Sequence, residues 1–234
     1  VNQGTISAQT SGRTITINPA TSFTNSATLE AKNGGGLSVS GLAGNLNTVT
    51  IADASTVTLD GTNYLNNLGL TVGTFQTLTL NGNWSSTAVT NVVGGTLNLG
   101  GAFTTAGLGT FTRSGGTVNL TGTLNNASNT LTFNATTGSW NLLGGTISGG
   151  TVNLTDTTLL SMTSSSGILT GVTVNGDLDL SATSSRVRIE GGTTFTTAHL
   201  KGNSSSIGFA PGSVLSGTIL FEGATGGPRS VEMN

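Results

Sequence analysis

The sequence predicts an all-β chain wound as a right-handed parallel β-helix, and three observations carry that expectation. Short runs alternate apolar residues with Thr, Ser or Asn. These runs return about every 21 residues, and Gly-Gly pairs punctuate them. Alternation marks a half-buried strand, because successive side chains leave a strand on opposite faces. A fixed repeat of this length with Gly-rich corners marks a solenoid, in which each coil pairs with the next.

The first series of strands is "TITIN" at Thr14, "GLSVS" at Gly36, "TVTLD" at Thr56, "TLTLN" at Thr77, "TLNLG" at Thr96, "TVNLT" at Thr117 and "SWNLL" at Ser139. Successive starts are separated by 22, 20, 21, 19, 21 and 22 residues. Its inward positions form two expected core ladders. One comprises Ile15, Leu37, Val57, Leu78, Leu97, Val118 and Trp140, the other Ile17, Val39, Leu59, Leu80, Leu99, Leu120 and Leu142.

A second series runs out of phase with the first, 13 residues later as Thr117 and Thr130 show. It contains "TVTI" at Thr48, "GLTV" at Gly69, "TFTR" at Thr110, "TLTF" at Thr130, "TVNL" at Thr151, "TVNG" at Thr173 and "TFTT" at Thr194. Two strand phases therefore recur once per coil of about 21 residues. Gly-Gly pairs beginning at Gly94, Gly115, Gly144, Gly149 and Gly191 mark the corners, where positive φ or close approach of coils excludes a side chain. The length corresponds to roughly eleven coils, about 50 Å of stack at the strand spacing. A β-sandwich is the rival, but it needs no fixed repeat.

Composition narrows the function. Only 7% of residues are charged and 5% aromatic, the net charge is −2, and there is no Cys. Two Lys and five Arg are scattered, too few and too dispersed to neutralise a nucleic-acid backbone. No apolar run approaches the roughly 20 residues of a membrane helix, so neither nucleic acid nor membrane insertion is expected. Absence of Cys excludes a disulfide framework. Disorder, which the polar composition suggests, is countered by apolar residues that keep their phase. The chain starts at Val1 with no visible signal peptide and ends in "GGPRSVEMN" with no polar cap. Residues 1–234 are accordingly expected to form one β-helix segment of a longer repeat protein.

The opening "NQGTISAQTSGRTITINPATSFTNSATLEAKNGGGLSV" and the later "GGTLNLGG", "GGTVNLTG" and "GGTISGGTVNLT" resemble repeat regions of very large secreted bacterial proteins. They look like the β-helices of filamentous-haemagglutinin-type adhesins and autotransporter passenger domains. The likeness is one of repeat style over nearly the whole chain. It implies a right-handed solenoid, a secreted or bacterial cell-surface location, and a role as stalk or adhesive surface. It names no ligand, cofactor or catalytic residue. Partners of that role are surface glycans, the surface of a host or neighbouring cell, and adjoining repeats of the same chain. No haemagglutinin-type secretion signature stands near Val1, which leaves the export route open.

Chemistry-bearing residues are few. His199 is the one histidine; with no Cys beside it the case for a zinc site, which needs three or four suitable ligands, is poor, and it is expected as an outward or corner residue. No GxSxG is present, so no nucleophile elbow is expected. "GDLDL" puts Asp177 and Asp179 on one strand face, opposite Leu178 and Leu180. Carboxylates two residues apart on a strand suit a glycosidase pair or part of a calcium site. "RVRIE" puts Arg186 and Arg188 opposite Val187 and Ile189. The two pairs together are the candidate ligand-binding residues, as a polar groove, with Asp156, Glu190 and Lys201 as the nearest further charges. A solvated strand face with modest ion pairing is the competing reading. Trp140 falls on an inward position; Trp84, in "NGNWSST", is expected at a corner. Asn-x-Ser/Thr triplets at Asn83, Asn119, Asn134 and Asn153 are expected by chance in so Asn- and Thr-rich a chain.

Outward rows remain. Thr56, Thr77, Thr96 and Thr117 form one file beside Thr58, Thr79, Asn98 and Asn119. In the second series, Thr110, Thr130, Thr151, Thr173 and Thr194 stand beside Thr112, Thr132, Asn153, Asn175 and Thr196. β-branched Thr suits a pleated surface, and stacked Thr and Asn can bond from coil to coil. An ice-binding face made of Thr110, Thr112, Thr130, Thr132, Thr151, Thr173, Thr194 and Thr196 is the sharper alternative, weakened by the Asn substitutions. The sequence therefore points to a non-enzymatic structural or adhesive segment. Ice binding is the first alternative and a polysaccharide-degrading β-helix the second; a cluster of acids and His across three adjacent coils would favour that enzyme.

Overall fold

The computed structural model describes residues 1–223 and 226–233. It is all-β, with strands separated by tight turns and one 3₁₀ turn, Ala106–Leu108, among the described residues. Two compact units divide the chain, Val1–Val118 and Asn119–Asn234. Each is a parallel β-solenoid, because a strand pairs with the strand one repeat later rather than with its sequence neighbour.

In the first unit, the strands Thr14–Ile17, Gly36–Asn45, Thr56–Asn66, Thr77–Leu80 and Thr96–Leu99 line up in one sheet. A second set follows the other phase: Thr5–Ala8, Thr28–Ala31 and Thr48–Ile51, then Leu70–Val72, Val89–Val92 and Thr110–Arg113. A third strand position is present in each coil, which two-series reading misses. It is occupied by the distal parts of Gly36–Asn45 and Thr56–Asn66, then by Trp84–Ser86 and Ala102–Thr104.

The second unit repeats this three-strand coil. One sheet holds Trp140–Leu142, Leu160–Met162, Leu178–Leu180, Thr197–Leu200 and Thr218–Phe221. Another holds Thr123–Asn125, Thr146–Ser148, Gly167–Thr170, Arg186–Glu190, Ser206–Phe209 and Ser230–Met233. A third holds Thr130–Phe133, Thr151–Leu154 and Thr173–Asn175.

Register makes the core. Leu37, Val57, Leu78 and Leu97 stand in line, as do Val39, Leu59, Leu80 and Leu99, all buried. In the second unit, Trp140, Leu160, Leu178 and Ala198 form the corresponding buried ladder. The third strands add Leu124, Ile147, Leu169, Ile189 and Phe209. Ile15 and Ile17 depart from the expected ladder. They align with Leu37 and Val39, yet Ile15 is 38% exposed and Ile17 half-buried, because among the described residues their strand is paired on one side only.

Trp84 also corrects the expectation. It lies in a strand, not at a corner, and is buried. Its ring stacks on Phe103 with centroids 4.4 Å apart, and its Nε1–H donates to the Gly100 carbonyl at 3.0 Å. The polar end of the indole is thereby satisfied where the ring is dry. Trp140 is in the core as expected, edge-on to Phe133 at 5.1 Å.

The Gly-Gly pairs sit between strands, as anticipated. A very close approach is made by another glycine file, Gly61, Gly82 and Gly101. Gly82 and Gly101 have φ of +70° and +62°. A Cβ on Gly82 would stand 1.9 Å from the Gly61 carbonyl oxygen, and one on Gly101 1.9 Å from that of Gly82. Backbone lies on backbone here, so no side chain fits. Among the described residues no helix is long and apolar enough to cross a membrane.

Candidate functional site

The densest group of ionisable side chains lies on the outward face of three adjacent coils in the second unit. Strands Leu178–Leu180, Thr197–Leu200 and Thr218–Phe221 pair so that Asp179, His199 and Leu220 are in register. Alternation sends Leu178, Leu180, Ala198 and Leu200 inward, which turns His199 out between its neighbours. Asp177 immediately precedes the first strand and Glu222 immediately follows the third. The imidazole reaches both diagonally: Nδ1 lies 2.6 Å from Glu222 Oε2, and Nε2 lies 3.3 Å from Asp177 Oδ2.

His199 is the most enclosed member, with 24% of its side chain accessible against 48% for Asp177 and 36% for Glu222. The hydrogen bond to Glu222 raises its pKa above the ordinary histidine value; burial opposes this and the Asp177 contact adds to it. Asp179 is engaged elsewhere. It accepts from the Ser161 hydroxyl at 3.1 Å and from the Ser181 amide at 3.2 Å.

Arg186 and Arg188 project from a strand face opposite buried Val187 and Ile189, as expected. The anticipated groove joining them to Asp177 and Asp179 is not assembled. The corner at residues 181–185 carries the chain from one sheet to another, so the acidic and basic pairs stand on different faces. Arg188 instead bonds Glu190 in its own strand, Nε to Oε1 at 2.7 Å. Arg186 and Arg188 line a small depression of about 80 Å³ with Ser206, Gly208 and Glu232. Asp156 and Asp177 share a shallow cleft of about 350 Å³ with Thr155, Thr157 and Leu159. Among the described residues no three His, Asp or Glu side chains are arranged to hold a metal ion.

The threonine files are partly continuous. Thr130, Thr151 and Thr173 are in register, and Thr194 bridges to Thr173. Beside them stand Thr132, Asn153 and Asn175, and Thr196 is exposed. In the first unit Thr110 lies opposite Val89, and Thr112 opposite Asn91, to which its hydroxyl donates at 2.9 Å. Outward amides do the same repeatedly. Asn98 donates to Thr79 at 3.0 Å, Asn141 to Asn119 at 2.9 Å and Asn175 to Asn153 at 2.7 Å.

No family model, curated protein or solved structure matches this chain.

The histidine row escapes a reading that ends the first series at Ser139. Its signal is spacing: Asp179, His199 and Leu220 fall 20 and 21 residues apart. Continuing the repeat would have stacked them, with Asp177 and Glu222 as diagonal neighbours.

Proposed function

We propose that this chain is a non-enzymatic structural segment of a bacterial secreted or cell-surface protein, a β-solenoid stalk whose outward faces make weak, multivalent contacts with carbohydrates or cell surfaces. The observation that carries this reading is the use of the outward polar rows. Asn98, Thr112, Asn141 and Asn175 each bond an equivalent residue one coil back. Side chains spent on their neighbours fasten coils together, and many shallow contacts along a repeat gain strength through multivalency rather than through one deep pocket. Low charge and the adhesin-like repeat style support the same reading.

The Asp177–His199–Glu222 row is the arrangement that would favour a polysaccharide-degrading enzyme. Against that reading, His199 occupies the space between the two carboxylates, where a sugar and its attacking water would have to sit. The test is paired. Immobilised protein is exposed to a glycan panel and to intact cells, and incubated with acidic and neutral polysaccharides while reducing ends and unsaturated products are followed. Avidity that falls steeply on going from clustered to monomeric protein, without polysaccharide cleavage, is the expected result. Cleavage abolished by His199→Gln would overturn it.

Ice binding has one observation in its favour, the unbroken file Thr130, Thr151, Thr173 and Thr194. The adjoining file sets two bulkier Asn, Asn153 and Asn175, bonded to each other, between Thr132 and Thr196, which spoils a regular water-ordering plane. Ice crystals grown with the protein at about millimolar concentration are expected to stay round; faceted crystals with a freezing-point gap would make these threonines the active face.

A further inference from the structure

We propose that Asp177, His199 and Glu222 form a proton-operated latch that fastens the strand Thr218–Phe221 to the two coils before it. A neutral imidazole carries one N–H and one lone pair, whereas a carboxylate is an acceptor only. His199 presents one ring nitrogen to Glu222 and the other to Asp177. Both contacts are hydrogen bonds only when both nitrogens carry protons. Removing one proton leaves a lone pair facing a carboxylate, and one side of the latch is lost.

The surroundings favour the protonated form. From the strand Leu178–Leu180 and its approach, Asp177 and Asp179 face the ring's side of the sheet. Glu222 approaches from the following coil. Lys201 stands just past the end of the His199 strand, and Arg229 donates to the Leu200 and Lys201 carbonyls at 3.1 and 2.8 Å. Three carboxylates thus stand against two cations, and the two nearest the imidazole are both anionic.

The latch acts on a strand that, among the described residues, has little else to anchor it. Thr218–Phe221 buries none of its four residues fully, and Phe221 is 58% exposed. With little apolar area to hold it, such a strand opens locally at small cost. Loss of one charge-assisted bond is then a large part of what keeps it closed. While its carboxylates are ionised, the latch is closed below the elevated pKa of His199 and releases as pH rises through it. It is independent of any adhesive role of the outward faces.

The test uses the intact chain. Ring-proton NMR gives the His199 midpoint, and amide hydrogen exchange gives protection factors for residues 218–221 between pH 5.5 and 9. The expected midpoint lies above 6.5, the ordinary value. Protection at residues 218–221 should fall by about tenfold across it, the factor for one such bond, while strand Thr146–Ser148 stays constant. Glu222→Gln should lower the midpoint, and His199→Gln should make protection pH-independent. A midpoint at or below 6.5 in the unaltered chain, or protection that does not change across it, overturns the latch even if a variant fails to fold.

Discussion

The side-chain amide of Asn175 donates to Asn153 across 2.7 Å, from one coil to the coil before it. The same step is taken by Asn141 toward Asn119 and by Asn98 toward Thr79. Backbone pairing already joins these coils at the same register positions. The outward amides add a second line of hydrogen bonds parallel to the first. A surface that looks like a display of polar groups therefore acts as a set of fasteners, and the consequences can be measured.

Glycines with positive φ should divide sharply by what stands over them. Gly82 and Gly44 both have positive φ, +70° and +76°. Over Gly44 a Cβ would meet nothing within 4 Å, whereas over Gly82 it would meet the Gly61 carbonyl oxygen at 1.9 Å. Gly44→Ala should cost about 1 kcal/mol, the left-handed penalty alone. Gly82→Ala should cost about 4 kcal/mol or prevent folding, because backbone must move. Urea unfolding of both variants decides it, and equal costs would contradict the packed corner.

Trp84 should behave as a core residue despite its polar flanks. Trp84→Ala removes the stack on Phe103 and the bond to Gly100, for an expected loss of about 3–5 kcal/mol. Trp84→Phe keeps the ring but orphans the Gly100 acceptor and should cost less, about 1–2 kcal/mol. Indole fluorescence of Trp140→Phe, in which Trp84 is the remaining tryptophan, should be blue-shifted; a water-exposed emission maximum would return Trp84 to the surface.

Acid sensitivity should trace to Glu30 in the first unit. Its carboxylate accepts from the Ser7 hydroxyl and pairs with Lys32 at 2.9 Å. The Ser7 bond holds its pKa below the ordinary value of 4.5, with Lys32 assisting and burial opposing. A depressed folded pKa contributes stability that is present above the unfolded value and disappears as pH falls through the folded one. Glu30→Gln should therefore be less stable than the parent at pH 7, and the two should converge as pH falls below 4.5 and through the depressed pKa of Glu30. A gap that persists at low pH would locate the effect in packing rather than in charge.

The core was legible wherever two inward residues fell within one short run. "TLTLN" and "TLNLG" announce their strands because Leu78 with Leu80, and Leu97 with Leu99, keep period two. The third strand of each coil was not, because runs such as "AFT", "TLN" and "TIS" carry a single buried apolar residue and look like turns. Trp84 was hidden for the same reason; its packing partner Phe103 comes one coil later. The acid and basic pairs lay close in the chain, yet the intervening corner sent them to different sheets. His199 lay far from its partners in sequence and beside them in space, a relation visible only to the repeat length.

The account rests on outward side chains acting as fasteners between coils, and a double-mutant cycle on Asn153 and Asn175 tests that most directly. Asn153→Ala, Asn175→Ala and the double variant are unfolded in urea at pH 7. A coupling energy of about 0.5–1 kcal/mol is predicted, the worth of one side-chain hydrogen bond on a half-exposed surface. Strictly additive losses, with no coupling, would show that these residues do not hold the coils together and would contradict the structural role assigned to the outward rows.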